Sequence, residues 1–173
     1  TKQGADSTFL EEVLKRISLA SGKDEEGHYR AVSSSFMVSA DNAHAVHPNH
    51  PEKADPVNRP MVNKGIVIKF NAAQHYTTDA VSCAVYRDLC ESNDIPVQVF
   101  TNRSDTRGGS TLGNVSNAHV SLNTVDIGLA QLAMHSCYET VGARDTKNLV
   151  DVMTVFYSKT FRVDKAGSFE LVD

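Results

Sequence analysis

The sequence predicts an α/β fold in which a layered sheet carries helices on both faces. Short β-branched apolar runs alternate along the chain with longer segments of helical period. The alternation proceeds without an internal repeat. At 173 residues, with 40% hydrophobic and 22% charged content, the chain suffices for one domain with a substantial core.

The elements follow in order. Phe9, Val13, Leu14 and Ile17 recur at helical spacing, Thr8-x-x-Glu11 has the form of a capping box, and Gly22 offers a C-terminal stop. This predicts an amphipathic helix covering one side of the sheet. Lys23 to Arg30 is charged and expected to be irregular, with His28 a solvated loop histidine. Phe36, Met37 and Val38 form the first strand. Glu52 to Lys64 holds Pro56 and Pro60 and reads as a polar surface connection. Gly65 to Asn71 is a second strand, whose buried run Ile66, Val67 and Ile68 is followed by a cation, Lys69. Lysine seldom stays buried without a partner. Lys69 therefore either reaches water at the strand end or faces a pocket and attracts an acidic group.

Thr78 is the expected N-cap of a helix marked by Ala80, Val81, Ala84, Val85 and Leu89 and ending near Asn93. His75 and Tyr76 precede it, where free N–H groups would favour a substrate carboxylate or oxyanion; an aromatic anchor for the helix start is the alternative. Pro96 to Phe100 alternates as a strand. Asn102 to Gly113 is a loop whose Gly108-Gly109 pair lets backbone approach a ligand, without the spacing or lysine of a phosphate-binding loop. Asp105 within it suits either a ligand or a turn role, and the turn is the reading adopted. Val125 to Leu132 reads as one strand leading to His135, and Leu149, Val150, Val152, Met153, Phe156 and Tyr157 define a last helix from about Thr146. The tail, Gly167 to Asp173, either adds a strand or stays loose.

Charge and composition narrow the function. The formal net charge is −4 and the isoelectric point about 5.9, and no basic run interrupts that balance, so nucleic acid is not expected as a partner. No apolar stretch approaches the roughly 18 residues that span a bilayer, and no signal-peptide pattern opens the chain. A cytoplasmic protein is expected. Cys83, Cys90 and Cys137 contain no Cys-x-x-Cys pair and read as reduced core thiols rather than a disulfide framework.

The chemistry concentrates after the first strand, where Asp41, His44, His47, His50 and Glu52 fall within a dozen residues. Pro48 and Pro51 stop any regular helix there, so a loop leaving a strand end is expected. Carboxylate and imidazole are donors that zinc accepts. The same residues also suit a surface loop in which Asp41 caps a turn. His135 lies beyond another candidate strand; a lone histidine there is usually structural, though convergence with Asp41 on one ion is physically sensible.

Ser39-Ala40-Asp41-Asn42-Ala43-His44-Ala45-Val46-His47-Pro48-Asn49 closely resembles the signature segment of the aspartyl aminopeptidases, zinc metallopeptidase family M18. Blocks at 65–71, 76–82, 102–113 and 132–136 match the same family in the same order. The resemblance implies a three-layer α/β/α peptidase domain of which residues 1–173 form the C-terminal part, an incomplete sheet. It implies two zinc ions per complete site, release of an N-terminal Asp or Glu from peptides, and a homo-oligomer at full length. Residue by residue it implies Asp41 and His135 as metal ligands and His44, Lys69 and Tyr76 as substrate contacts, with Lys69 suited to the acidic side chain and Tyr76 to the tetrahedral intermediate.

In the family, a segment like Lys2-Gln3-Gly4-Ala5-Asp6-Ser7 follows two adjacent glutamates. The sequence starts at Thr1, without Met and without that pair, which suggests a fragment. The general-base glutamate is expected upstream of Thr1, as are the bridging aspartate, the first histidine ligand and an inserted dimerisation domain. No catalytic acid or base is expected within the 173 residues. The chain alone is therefore expected to bind zinc weakly and to hydrolyse nothing. Two other readings are a binuclear aminopeptidase of different specificity, against which Lys69 argues, and a peptide-binding or assembly subunit without turnover.

Overall fold

The computed structural model describes residues 1–164 and 168–172. Along the chain the elements are α1 (Phe9–Ala20), α2 (Glu25–Ser33), β1 (Phe36–Ala40), β2 (Ala43–His44), β3 (Ile66–Phe70), α3 (Ala80–Glu91), β4 (Val97–Thr101), α4 (Leu112–Asn117), β5 (Asn123–Gly128), β6 (Ala130–Leu132), β7 (Thr140–Val141), α5 (Ala143–Ser158), β8 (Thr160–Val163) and β9 (Phe169–Val172). The main sheet has the order β1-β5-β3-β4; β1 runs parallel to β5 and β3 parallel to β4, while β3 and β5 are antiparallel. A second sheet, β2-β6-β7, continues from the first, and β8 pairs with β9.

Alternation divides the main sheet into two faces. Phe36, Val38, Ile66, Ile68, Val125 and Ile127 pack with Tyr86, Leu89 and Cys90 of α3 and Val152 of α5. Val67 and Phe100 join Ala43, Ala130 and Tyr76 in a separate cluster. Ile66, Ile68, Val125 and Ile127 are fully buried or nearly so, together roughly 6–12 kcal/mol of burial, comparable with the net stability of a domain. A one-residue slip would exchange them with Lys69 and Asp126, so this face fixes the register. α4 rests on the opposite face, where a Cβ on Gly113 would stand 2.7 Å from Ser39 Oγ and 3.0 Å from Asp126 Oδ1. Helices thus lie on both faces, as expected.

Several local expectations are corrected. The Thr8 capping box does not form: Thr8 Oγ1 donates to Glu12 Oε1 at 2.6 Å. The apolar stripe of α1 does not cover the sheet; its main neighbour is α2, and Phe9 and Ile17 remain 52% and 57% exposed. Lys23 to Arg30 is largely helical. Asp24 caps α2 by accepting from Gly27 N at 2.8 Å, with Glu25 and Glu26 in the first turn and Arg30 in the last to complement the helix dipole. His28 is buried on the α1 side, 3.0 Å from Ser18 Oγ, because α2 packs that face inward.

The N-cap of α3 is Asp79, not Thr78, and Asp79 with Ser82 forms the capping box. Val125 to Leu132 is two strands, β5 and β6, which belong to different sheets. Cys83 and Cys90 lie in the interior or partly so, but Cys137 is exposed in the β6–β7 connection. Pro60, in the stretch read as a surface connection, is fully buried. The tail forms β9, while Gly167 and Asp173 lie outside the described residues.

Candidate functional site

The face away from α3 and α5 carries the polar chemistry. Asp41 leaves β1 with its N–H still donating to Ile127 O at 3.0 Å, while its carbonyl turns to accept from Lys69 Nζ at 2.6 Å. Lys69 is only 2% exposed, so of the two outcomes for that cation the structure takes the pocket-facing one. Its ammonium lies 5.2 Å from the Tyr76 ring centroid, within cation–π range. Burial pushes the Lys69 pKa below its ordinary value, and the Asp41 and Asp126 charges only partly offset this.

Tyr76 is buried against Phe100, ring centroids 6.1 Å apart, and its hydroxyl accepts from Asn102 Nδ2 at 3.2 Å. The following residues are gripped by β5. Asp126 Oδ2 accepts from Thr77 N at 2.6 Å and Thr77 Oγ1 at 2.8 Å, and Asp126 N donates to Thr78 Oγ1 at 2.9 Å. Thr77 N and Ser82 N are thereby occupied by Asp126 and Asp79 and are not free to meet an anion. His75 is exposed, outside the cavity.

The cavity over this face measures about 420 Å³ and is lined by all five residues singled out from the sequence: Asp41, His44, Lys69, Tyr76 and His135. His44 projects from β2. Burial holds its pKa below the usual imidazole range, and nearby His135 and Lys69 push it in the same direction, so the neutral ring is favoured. His135 stands beyond β6 in a left-handed conformation, φ 67°, with its N–H donating to Glu139 Oε1 at 2.6 Å.

The remaining members of the dense donor run do not complete a cage. His47 and His50 face each other at 5.4 Å between ring centroids, and His50 Nδ1 lies 3.2 Å from Glu52 Oε1, on side chains that are more than half exposed. Among the described residues no group of three or more His, Cys, Asp or Glu is placed to hold a metal ion. Thr1, the residue before which the general base was expected, is exposed and is not part of the cavity wall; its carbonyl accepts from Gly4 N at 3.1 Å in a local turn. Asp105 takes the turn role, receiving Arg103 Nε at 2.8 Å and Nη2 at 2.6 Å. Sequence reasoning missed Asp126 and Asn102. A carboxylate between Val125 and Ile127 was as conspicuous as Lys69 after Ile68; Asn102 carried no comparable signal.

Residues 1–157 match the family model described as Aminopeptidase I zinc metalloprotease (M18). A Clostridium acetobutylicum protein described as "Probable M18 family aminopeptidase 2" is 52% identical over 158 residues, covering 91% of this chain and 36% of that protein. A chain in the cryo-EM structure of the Ape4 and Nbr1 complex superposes with a TM-score of 0.87 at 40% identity, covering 91% of this chain and 30% of that one. The S. cerevisiae mApe1 dodecamer superposes with a TM-score of 0.75 at 29% identity, covering 91% and 34%. The chain thus spans about a third of the length of the relatives it matches.

Proposed function

The chain belongs to the M18 family of zinc metalloproteases, and from that premise we propose that its cavity is one part of a site releasing N-terminal Asp or Glu from peptides. The observation that carries this reading is Lys69: a buried ammonium in the cavity wall whose hydrogen bond goes to a backbone carbonyl, with no carboxylate within ion-pair distance among the described residues. An acidic side chain entering the cavity would supply that partner. Close charge pairs in excluded sites are worth roughly 2–5 kcal/mol, a discrimination of about 30- to 5,000-fold against a neutral residue.

Asp41 and His135 are proposed as metal ligands. Their donor types fit zinc, but their number does not, since two ligands complete no zinc coordination sphere. We assign the remaining ligands of a two-zinc site, and a general-base glutamate upstream of Thr1, to the part of the relatives' length that these 173 residues do not span. When bound, zinc polarises the scissile carbonyl and acidifies a bound water. This chain's own contribution is binding and orientation. Lys69 holds the acidic side chain, neutral His44 contacts substrate without adding charge, and the Tyr76 hydroxyl, fixed by Asn102, can donate to an oxyanion. Residues 1–173 are the C-terminal part of the catalytic domain in this reading, inactive alone and homo-oligomeric within the full-length protein, by analogy with the mApe1 dodecamer.

The test is hydrolysis of aspartyl, glutamyl, alanyl and leucyl naphthylamides with zinc, by the chain alone and joined to the remaining segment of its C. acetobutylicum relative. No turnover is expected from the chain alone, and acidic preference from the joined protein. Faster cleavage of the leucyl substrate would remove the specificity. Turnover by the chain alone that disappears in His135→Ala would overturn the claim of inactivity. A tight peptide complex without turnover in the joined protein would indicate a binding subunit instead.

A further inference from the structure

Resting on that reading of Lys69 as the acidic-residue contact, we propose that the cavity mouth is a second specificity site, in which Lys53 and Arg107 select peptides with further acidic residues directly after the first. Charge distribution is the starting point. The chain carries a formal net charge of −4, yet the cavity is lined by four Lys and Arg side chains, Lys53, Lys69, Arg103 and Arg107, against two carboxylates, Asp41 and Asp55. Positive charge is concentrated in an otherwise acidic protein, an arrangement that attracts anions.

Most of these charges already have work inside the fold. Arg103 forms a two-bond pair with Asp105 and also donates to the Glu52 carbonyl. The Asp55 carboxylate accepts from Val57 N at 3.0 Å and Asn58 N at 2.7 Å. Lys69 is buried. Lys53 and Arg107 differ: both are exposed, both line the cavity, and neither forms an ion pair among the described residues. They also come from separate segments. Lys53 ends the short 3-10 turn Pro51–Lys53 after the histidine run, and Arg107 lies in the loop between β4 and α4.

The buried Lys69 marks the floor, and the exposed pair marks the mouth. At about 420 Å³ the cavity is at the small end of ligand pockets, so a peptide whose first residue reaches Lys69 must run out across the mouth. An extended chain advances roughly 3.3–3.6 Å per residue and alternates its side chains. The second and third side chains therefore lie over the mouth, and an acidic residue there can meet a cation that forms no ion pair among the described residues.

The experiment uses the 173-residue chain and C-terminally amidated, fluorescently tagged peptides, read by anisotropy: Asp-Glu-Glu-Gly, Asp-Ala-Ala-Gly and Leu-Glu-Glu-Gly. Exposed ion pairs are individually weak, so Asp-Glu-Glu-Gly is expected to bind about two- to tenfold more tightly than Asp-Ala-Ala-Gly. The gap should close in the double variant Lys53→Glu/Arg107→Glu and at about 1 M salt, where screening acts within about 3 Å. Both substituted residues are exposed, so the fold is not at stake. Equal affinity for the two Asp-first peptides overturns the mouth site and leaves the floor intact. A gap that survives the double variant places the selection elsewhere and also overturns it. Equal affinity for Asp-Glu-Glu-Gly and Leu-Glu-Glu-Gly removes the floor reading instead, and absence of binding by every peptide removes both.

Discussion

Gly128→Ala is the sharpest test of how Asp41 is held. Gly128 is buried at the end of β5, and any side chain there would run into the backbone of Asp41 and Asn42. A Cβ there would stand 2.1 Å from Asp41 O and 2.8 Å from Asn42 Cα, where real contacts do not fall below 3.0 Å. The Asp41 segment must move by about 0.9 Å or the sheet must open. That carbonyl is the hydrogen-bond acceptor of Lys69, so the displacement also loosens a buried ammonium. Overpacking costs about 1–3 kcal/mol and a disturbed hydrogen bond to a charged group about 1.5–3 kcal/mol, so we expect a loss of about 3–5 kcal/mol.

Urea unfolding measures this directly. With a slope of about 2 kcal/mol per molar urea the midpoint should fall by about 1.5–2.5 M. Gly109→Ala is the control, since a Cβ there meets nothing within 4 Å, and should change stability by less than about 0.5 kcal/mol. If Gly128→Ala unfolds within about 0.5 kcal/mol of the parent, the close approach of Asp41 to β5 does not constrain the site.

Lys69→Met removes a buried charge while keeping most of its volume; stability should be unchanged or rise by up to about 2 kcal/mol in urea unfolding, whereas affinity for Asp-first peptides should fall to that for Leu-first ones. Asp145 is fully buried and accepts from Asn63 N at 2.6 Å and Gly65 N at 2.8 Å, so Asp145→Ala orphans two backbone donors and should cost about 2–5 kcal/mol by the same assay. Iodoacetamide followed by peptide mass mapping should label exposed Cys137 at pH 8 and spare Cys90, whose thiol burial pushes up from 9.0 to about 12. Because native Cys90 keeps its proton where the unfolded thiol loses it, its contribution to stability is fully present below about pH 9 and declines as pH rises towards 12, which alkaline urea titrations would detect.

Legibility followed the physics of each segment. β1, α3 and α5 bury one side against the same core, and a one-sided burial writes its period into the residues, whereas β3 is buried on both faces and was legible as a continuous apolar run. α2 was missed because charge was read as solvation, although Asp24 before Glu25 and Glu26, with Arg30 at the far end, is a capped helix with its dipole complemented. His28 was misread for a related reason: only the packing of α2 on α1 decides which side of a polar helix is inside. The exposed stripe of α1 shows the converse. Its sequence records an apolar face but not what stands opposite it. Asp41, His44, Lys69, Tyr76 and His135 were singled out through donor chemistry and family pattern and all line the cavity, whereas the mouth depends on which loops meet, and no local spacing encodes that.

The passage from one sheet to the other has a mechanical consequence. β1 and β5 run side by side in parallel, then both cross over together, β1 through Asp41 and Asn42 into β2, β5 through Leu129 into β6. Across the gap the rungs continue: Asn42 Oδ1 accepts from Leu129 N at 3.2 Å, and Ala43 N donates to Leu129 O at 2.9 Å. Asp41 is therefore carried on a two-strand girder spanning both sheets and not on a free loop. The backbone that carries the Asp41 carboxylate is thus placed by both sheets, and so is the start of the segment leading to His135. Strain introduced at Thr140 or Val141, the outer edge of the smaller sheet, would be read as a change in the spacing of these two donors.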